Sequence, residues 1–195
     1  MHNQKKATPQ IAASRIDSGI ISLPDGYEQV DERFATQDEV AVCIKRHERT
    51  DGRNRGLGGE HVTTVTDTQT GQLKGITWMD TSFVDRPLAN REEAQQVAET
   101  FLANVAPDLT GTLTILWIEP HDETLMADDK TTIVTCMKVK CRQASGNYAW
   151  VIVGSEERVM TFERDIVWNT DMSVRTTEKW LHDSWLAAQA FEATT

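Results

Sequence analysis

The sequence is short of several things, and each shortage narrows what the chain can be. It has three cysteines in 195 residues, an odd number. Cys136 and Cys141 stand five apart in CMKVKC. In a strand an odd separation turns two side chains to opposite faces, so they are poor disulfide partners. Their spacing is not that of a zinc site, and no HExxH or CxxC occurs. None of the five histidines lies within two to five residues of another, so no metal is expected. No apolar run approaches eighteen residues, which argues against a membrane-spanning helix. The start, MHNQKKATPQIAASR, is positively charged but lacks the apolar core of a secretory leader. Reduced thiols without an export signal lead to the expectation of a cytoplasmic protein. Positive charge is scarce too, with 20 basic against 30 acidic residues and a net charge of −10. That disfavours nucleic acid and anionic membrane as partners and leaves an unidentified protein partner. Catalytic motifs are also missing. There is no GxSxG, and GLGG at 56–59 lacks the GK[ST] of a phosphate loop. No catalytic residue and no cofactor is expected.

What is present reads as alternating strands and two helices. Residues 1–18 are polar and read as a mobile tail, ahead of a single domain over 19–195 with halves at 38–106 and 107–195. Pro24-Asp25-Gly26 marks a turn, and Tyr27 to Phe34 reads as a short helix. Val40, Val42 and Ile44 alternate as one face of a strand. The basic cluster Lys45, Arg46, Arg49, Arg53 and Arg55 reads as a solvated strand end and loop. EHVTTVTD and GQLKGITWM flank TQTG as a hairpin. Asn90 and Glu93 have the spacing of a helix capping box, followed by apolar residues at 94, 97, 98, 101, 102 and 105 on one helical face. Pro107 ends that helix. Four more strands follow, with HDETLMADD as a polar loop between the first two. The fold class expected is α+β: an antiparallel sheet packed against two helices. The order hairpin 61–80 then helix 91–105, and hairpin 148–168 then helix 176–192, admits a pseudo-duplicated hairpin-helix unit.

The stretch EKWLHDSW, Glu178 to Trp185, poses the functional question. On a helix starting at Thr176 or Thr177, Trp180, Leu181, Trp185, Ala188 and Phe191 share one stripe. His182 and Asp183 then fall off it, toward solvent, and being adjacent they cannot face each other. The stripe is expected to seal the core. A His182 enclosed beside a carboxylate from another element, such as Glu163 or Asp165, would reverse that reading. Glu163 and Asp165 in FERDIVW read as one strand face, with Arg164 on the other. His121, in HDE, is the densest remaining cluster of polar ligand types. His182, Glu163, Asp165 and His121 are therefore the candidate binding residues.

Two stretches resemble PepSY-type small α+β domains. Asp67, Thr70, Gly71 and Leu73 match a D-x-x-T-G-x-hydrophobic hairpin, and Arg91, Glu92, Glu93 and Ala94 match an R-E-E-A helix start. The resemblance covers about residues 60–168 and implies a module that binds or inhibits partners rather than catalyses. It carries over no site residue, and it implies an extracytoplasmic setting that the N-terminus contradicts. The expected function is a noncatalytic soluble binding or inhibitory module. The alternatives are a small enzyme or small-molecule binder with a pocket between the sheet and the C-terminal helix, and an acidic inhibitor of a basic toxin or enzyme.

Overall fold

The computed structural model describes residues 15–16, 21–171 and 173–192. The expected tail, residues 1–18, lies outside them apart from the backbone of Arg15 and Ile16. Strands β1 (Arg15–Ile16) and β2 (Ile21–Ser22) form a small antiparallel pair. β3 (Tyr27–Gln37), β4 (Val40–Arg49), β5 (His61–Asp67) and β6 (Leu73–Met79) form a meander. Helix α1 (Arg91–Val105) follows, and then a second meander: β7 (Thr114–Ala127), β8 (Lys130–Arg142), β9 (Tyr148–Val153) and β10 (Val159–Ile166). Helix α2 (Asp183–Glu192) comes last. The strands β3 to β10 form one eight-stranded sheet in the order β3-β4-β5-β6-β10-β9-β8-β7. Every pairing is antiparallel, and β6 and β10 join the two meanders through Thr77 opposite Thr161.

The α+β expectation is thereby corrected. The molecule is sheet-dominated, with eight strands in one sheet and only two α-helices among the described residues. Three segments account for the difference. Tyr27 to Phe34 is the start of the eleven-residue β3, not a helix. HDETLMADD is not a loop: Leu125 is fully buried in β7, and the chain reverses only at Asp128 and Asp129. Both of those residues have positive φ, as do Asp38 and Glu39 between β3 and β4. Two such residues in succession give a tight hairpin whose twist matches the strands. The C-terminal helix begins at Asp183, not at Thr176. Residues 175–177 instead add backbone pairing to the end of β10, with Arg175 opposite Trp168 and Thr176 N–H donating to Val167 O.

Other elements follow local chemistry. The Asn90 side chain accepts from the Glu92 and Glu93 N–H groups, and the Glu93 carboxylate accepts from the Asn90 N–H. Helix α1 buries Ala94, Ala98, Leu102 and Val105 against one sheet face with Val139, Val151 and Phe162. In the β5–β6 turn the Asp67 carboxylate accepts from the N–H groups of Gln69 and Thr70, and Gly71 supplies a φ of +71°. Cys141 packs on the α1 face and Cys136 on the opposite one.

Candidate functional site

The face opposite α1 carries a polar patch between two apolar clusters, one around Leu125, Val134, Trp150 and Ile152 and the other of Val42, Ile44, Val65 and Leu181. Its floor carries His61 on β5, Thr77 on β6, Thr161 and Glu163 on β10, and Lys138 on β8. The sheet bends over this face. The loop after β4 meets the β7–β8 hairpin, with Met126 N–H donating to Gly58 O at 2.7 Å and Asp128 N–H to the Asn54 side chain at 2.9 Å. The fully buried Glu60 organises that loop. Its carboxylate accepts from Arg53, Asn54 and both the N–H and hydroxyl of Thr81.

The chain from Arg175 to Asp183 crosses the bent face and is fastened by directional bonds. Arg175 Nη2 donates to Glu163 Oε1 at 2.7 Å, and His182 Nε2 lies 3.0 Å from Glu163 Oε2. Burial would push the Glu163 carboxyl up, but the Arg175 guanidinium and the His182 ring outweigh it and hold it at about 2. Leu181 sits over Gly75, where an added Cβ would stand 2.8 Å from Leu181 Cδ1 and 2.9 Å from Phe162 O. Asp183 takes both Arg46 Nη1 at 2.7 Å and Nη2 at 3.0 Å, and Gly58 N–H at 2.6 Å. Burial works against the Asp183 carboxylate, yet these bonds help hold its pKa below the ordinary range. Arg46 also donates to Glu48 at 2.8 Å. Trp180 Nε1 donates to Thr36 O at 2.9 Å.

Between this segment and the floor lies a cavity of about 210 Å³, lined by His61, Thr77, Thr161, Glu123, His182 and Asp183 among others. An adjoining recess of about 450 Å³ shares Glu123, His182 and Ser184 and adds His121, Lys138, Trp150, Trp168 and Trp185. One buried acceptor in these walls lacks a partner. His61 Nδ1 is 2.8 Å from Gly59 O, so the proton is assigned there, and Nε2 is left as a buried acceptor with no hydrogen bond. Burial pushes the His61 pKa down, so the ring is neutral. Lys138 Nζ lies over the Trp150 ring, 4.3 Å from its centroid, and makes no hydrogen bond or ion pair among the described residues. Burial lowers its pKa.

The candidate residues separate. His182 and Glu163 meet, as do His121 and Glu123 at 3.1 Å, all around the same cleft. The expectation that His182 and Asp183 face solvent is corrected. Both lie before or at the first turn of α2, so helical angles counted from Thr176 do not apply to them. Of the expected stripe, Leu181 enters the core with Val42, Ile44 and Val65, Trp180 packs at that cluster's margin, and neither Trp180 nor Trp185 is fully buried. They are half-buried and pack edge to face, 5.0 Å apart. Asp165 is displaced from Glu163 by a bulge in β10, where its φ is +60°. It accepts instead from Lys74 and Gln143, each at 2.8 Å, and from Arg164 at 3.1 Å. Arg46, expected in solvent, is buried. Sequence reasoning missed His61, Lys138, Arg46 and Asp183. The signal for His61 lay in HVTTVTD: a strand flanked by others, yet with His61 and Thr63 alternating on one side.

Chemically, the ionised Glu163 fixes the His182 proton on Nε2. Arg175 Nη1, 3.4 Å from the same atom, can then approach it only as a charge. No nucleophile joins them. The Ser184 hydroxyl makes no hydrogen bond to His182 among the described residues, and burial pushes the Cys136 thiol up to about 12. Among those residues no three His, Cys, Asp or Glu side chains converge as metal ligands. None of their helices is long and apolar enough to cross a membrane. In comparison with known proteins the chain matches no family model, no curated protein and no solved structure.

Proposed function

We propose that the chain is a noncatalytic binding module that holds a small polar ligand in the cleft between the sheet and the C-terminal segment. The observation that carries this reading is His61 Nε2, a buried acceptor without a partner in the wall of a cavity. Leaving such a group unsatisfied costs about 1–3 kcal/mol, and a ligand donor recovers that energy on binding. The convergence of Thr77, Thr161, Glu123 and His182 on the same space supports it, since binding sites combine an enclosing shape with a few placed polar groups. The short likeness to PepSY-type modules points the same way, toward binding rather than catalysis. A reducing cytoplasm is the setting we assign, on the two buried thiols Cys136 and Cys141.

The test is thermal unfolding against separate panels of amino acids, dipeptides, sugars and dicarboxylic acids. A ligand at 100 times its Kd adds about 2.7 kcal/mol of stability. At least one class should raise the Tm of the native chain and fail to do so with His61→Phe and with Thr161→Val. If no panel raises the Tm, or the rise survives both substitutions, the cleft is not the binding site.

A further inference from the structure

We infer that the recess adjoining the His61 cavity is a second subsite, which takes an uncharged aromatic ring carrying a hydrogen-bond acceptor. This subsite goes beyond the reading above and does not depend on His61. Three of the chain's six tryptophans, Trp150, Trp168 and Trp185, line the recess of about 450 Å³. They come from three places in the chain. Trp150 stands on β9, opposite Lys140 of β8 and Glu163 of β10. Trp168 follows β10 and pairs through its backbone with Arg175. Trp185 belongs to α2 and packs edge to face on Trp180.

The walls specify the class of ligand. The Trp168 Nε1–H is buried and has no hydrogen-bond partner among the described residues. An indole nitrogen only donates, so the group it lacks is an acceptor. Indole rings also favour a second aromatic ring, edge to face or offset, over an aliphatic group of the same area. Trp180 and Trp185 already show that geometry within the chain, with centroids 5.0 Å apart.

Charge decides against the other partners. Tryptophans also hold cations, but here the protein supplies its own. Lys138 Nζ lies 4.3 Å and the Arg175 guanidinium 5.6 Å from the Trp150 centroid, and Lys140 Nζ lies 5.5 Å from that of Trp168. A cationic ligand would compete for those rings against like charge. An anion is no better placed. Glu163 already meets Arg175, and Asp122 and Glu123 line the recess together with Lys138 and Lys179, so the charges offset one another. A neutral ring leaves that balance undisturbed.

Titration calorimetry with nicotinamide, cyclohexanecarboxamide, choline and benzoate tests this. Nicotinamide is neutral, aromatic and rich in acceptors, and cyclohexanecarboxamide is its saturated counterpart. Nicotinamide should bind, and the saturated amide should bind about tenfold more weakly. Trp185→Leu should abolish that preference. Trp168→Phe keeps a ring but removes the N–H, and should weaken nicotinamide about fivefold. His61→Phe should leave nicotinamide binding unchanged, with urea melts showing each variant folded. Equal binding of the two amides, or a preference that survives Trp185→Leu, overturns the aromatic subsite. Unchanged affinity in Trp168→Phe overturns the acceptor assignment. Tighter binding of choline would make the recess a cation cage and tighter binding of benzoate an anion site, and either result overturns the neutral ring. If nicotinamide binding is lost with His61→Phe and kept with Trp185→Leu, the ring lies in the other cavity and the subsite fails. If none of the probes binds, the subsite fails, while the cleft reading is decided separately by its thermal panels.

Discussion

The two faces of the sheet are covered by different means, and β10 shows the contrast in adjacent residues. Phe162 points to the α1 face, is fully buried and packs edge to face on Phe101 at 5.6 Å. Glu163 points the other way, equally buried, and is bonded to Arg175 and His182. Apolar cover is nondirectional: α1 gains stability from the area it removes from water. Polar cover is directional, and each buried group needs its own partner. An unmatched atom means little on the first face and a great deal on the second, which is why His61 Nε2 carries the proposed reading.

Substitutions on each face sharpen that contrast. The largest effect is expected from Phe162→Ala, which should cost about 3–5 kcal/mol in urea unfolding; a loss under about 1 kcal/mol would show that α1 contributes little to holding the sheet. Next is Glu163→Gln, which leaves the buried Arg175 guanidinium unmatched. Glu163 titrates at about 2 when folded against 4.5 ordinarily. Its contribution is therefore complete above about pH 4.5 and disappears as pH falls toward 2, a loss of roughly 3 kcal/mol. Unfolding measured across that range should show the decline in the native chain and a markedly flatter profile in Glu163→Gln. Matching profiles would remove the carboxylate from the account.

A smaller change probes the seat between the two coverings. Gly75→Ala places a methyl against Leu181 and the Phe162 carbonyl. It should cost about 1–3 kcal/mol, the range for overpacking, and should expose the Trp180 region to proteolysis before the rest. Uniform protease resistance would mean the segment shifts without lifting. The smallest effect is expected from Trp180→Phe, which removes the bond to Thr36 O and trims a half-buried ring while keeping an aromatic against Trp185. About 0.5–1.5 kcal/mol should be lost, and more than about 2 kcal/mol would show that the ring itself belongs to the core.

The same contrast decides what could be read in advance. Helix α1 was legible to the residue, because a capping box and a 3.6-residue apolar period are local facts. The β5–β6 hairpin was legible from Asp67 and Gly71 for the same reason. The C-terminal segment was not. Trp180, Leu181 and Trp185 have helical spacing, but Arg175 and His182 are drawn out of a helix by Glu163, a partner 12 and 19 residues away. The bulge that parts Asp165 from Glu163 depends on Gln143, on another strand, whose side chain accepts from the Asp165 N–H. Arg46 looked like surface because its partner Asp183 is 137 residues distant. Sheet dominance was missed where exposed polar residues masked the period of two, in β3 and in the second half of β7.

The joint between β6 and β10 has a consequence in time. Each meander is made of neighbouring strands linked by short turns, and such contacts close quickly. Thr77 and Thr161 are 84 residues apart, and Arg46 and Asp183 farther still, so both must wait for a long loop to close. The hairpins β3–β4 and β7–β8 are therefore expected to protect their amides early in refolding, with β6, β10 and the Arg175–Asp183 segment last. Pulsed hydrogen exchange during refolding reads that order directly, and simultaneous protection of all strands would refute it. The cleft, which exists only once the two meanders have met, is then the last part of the molecule to form.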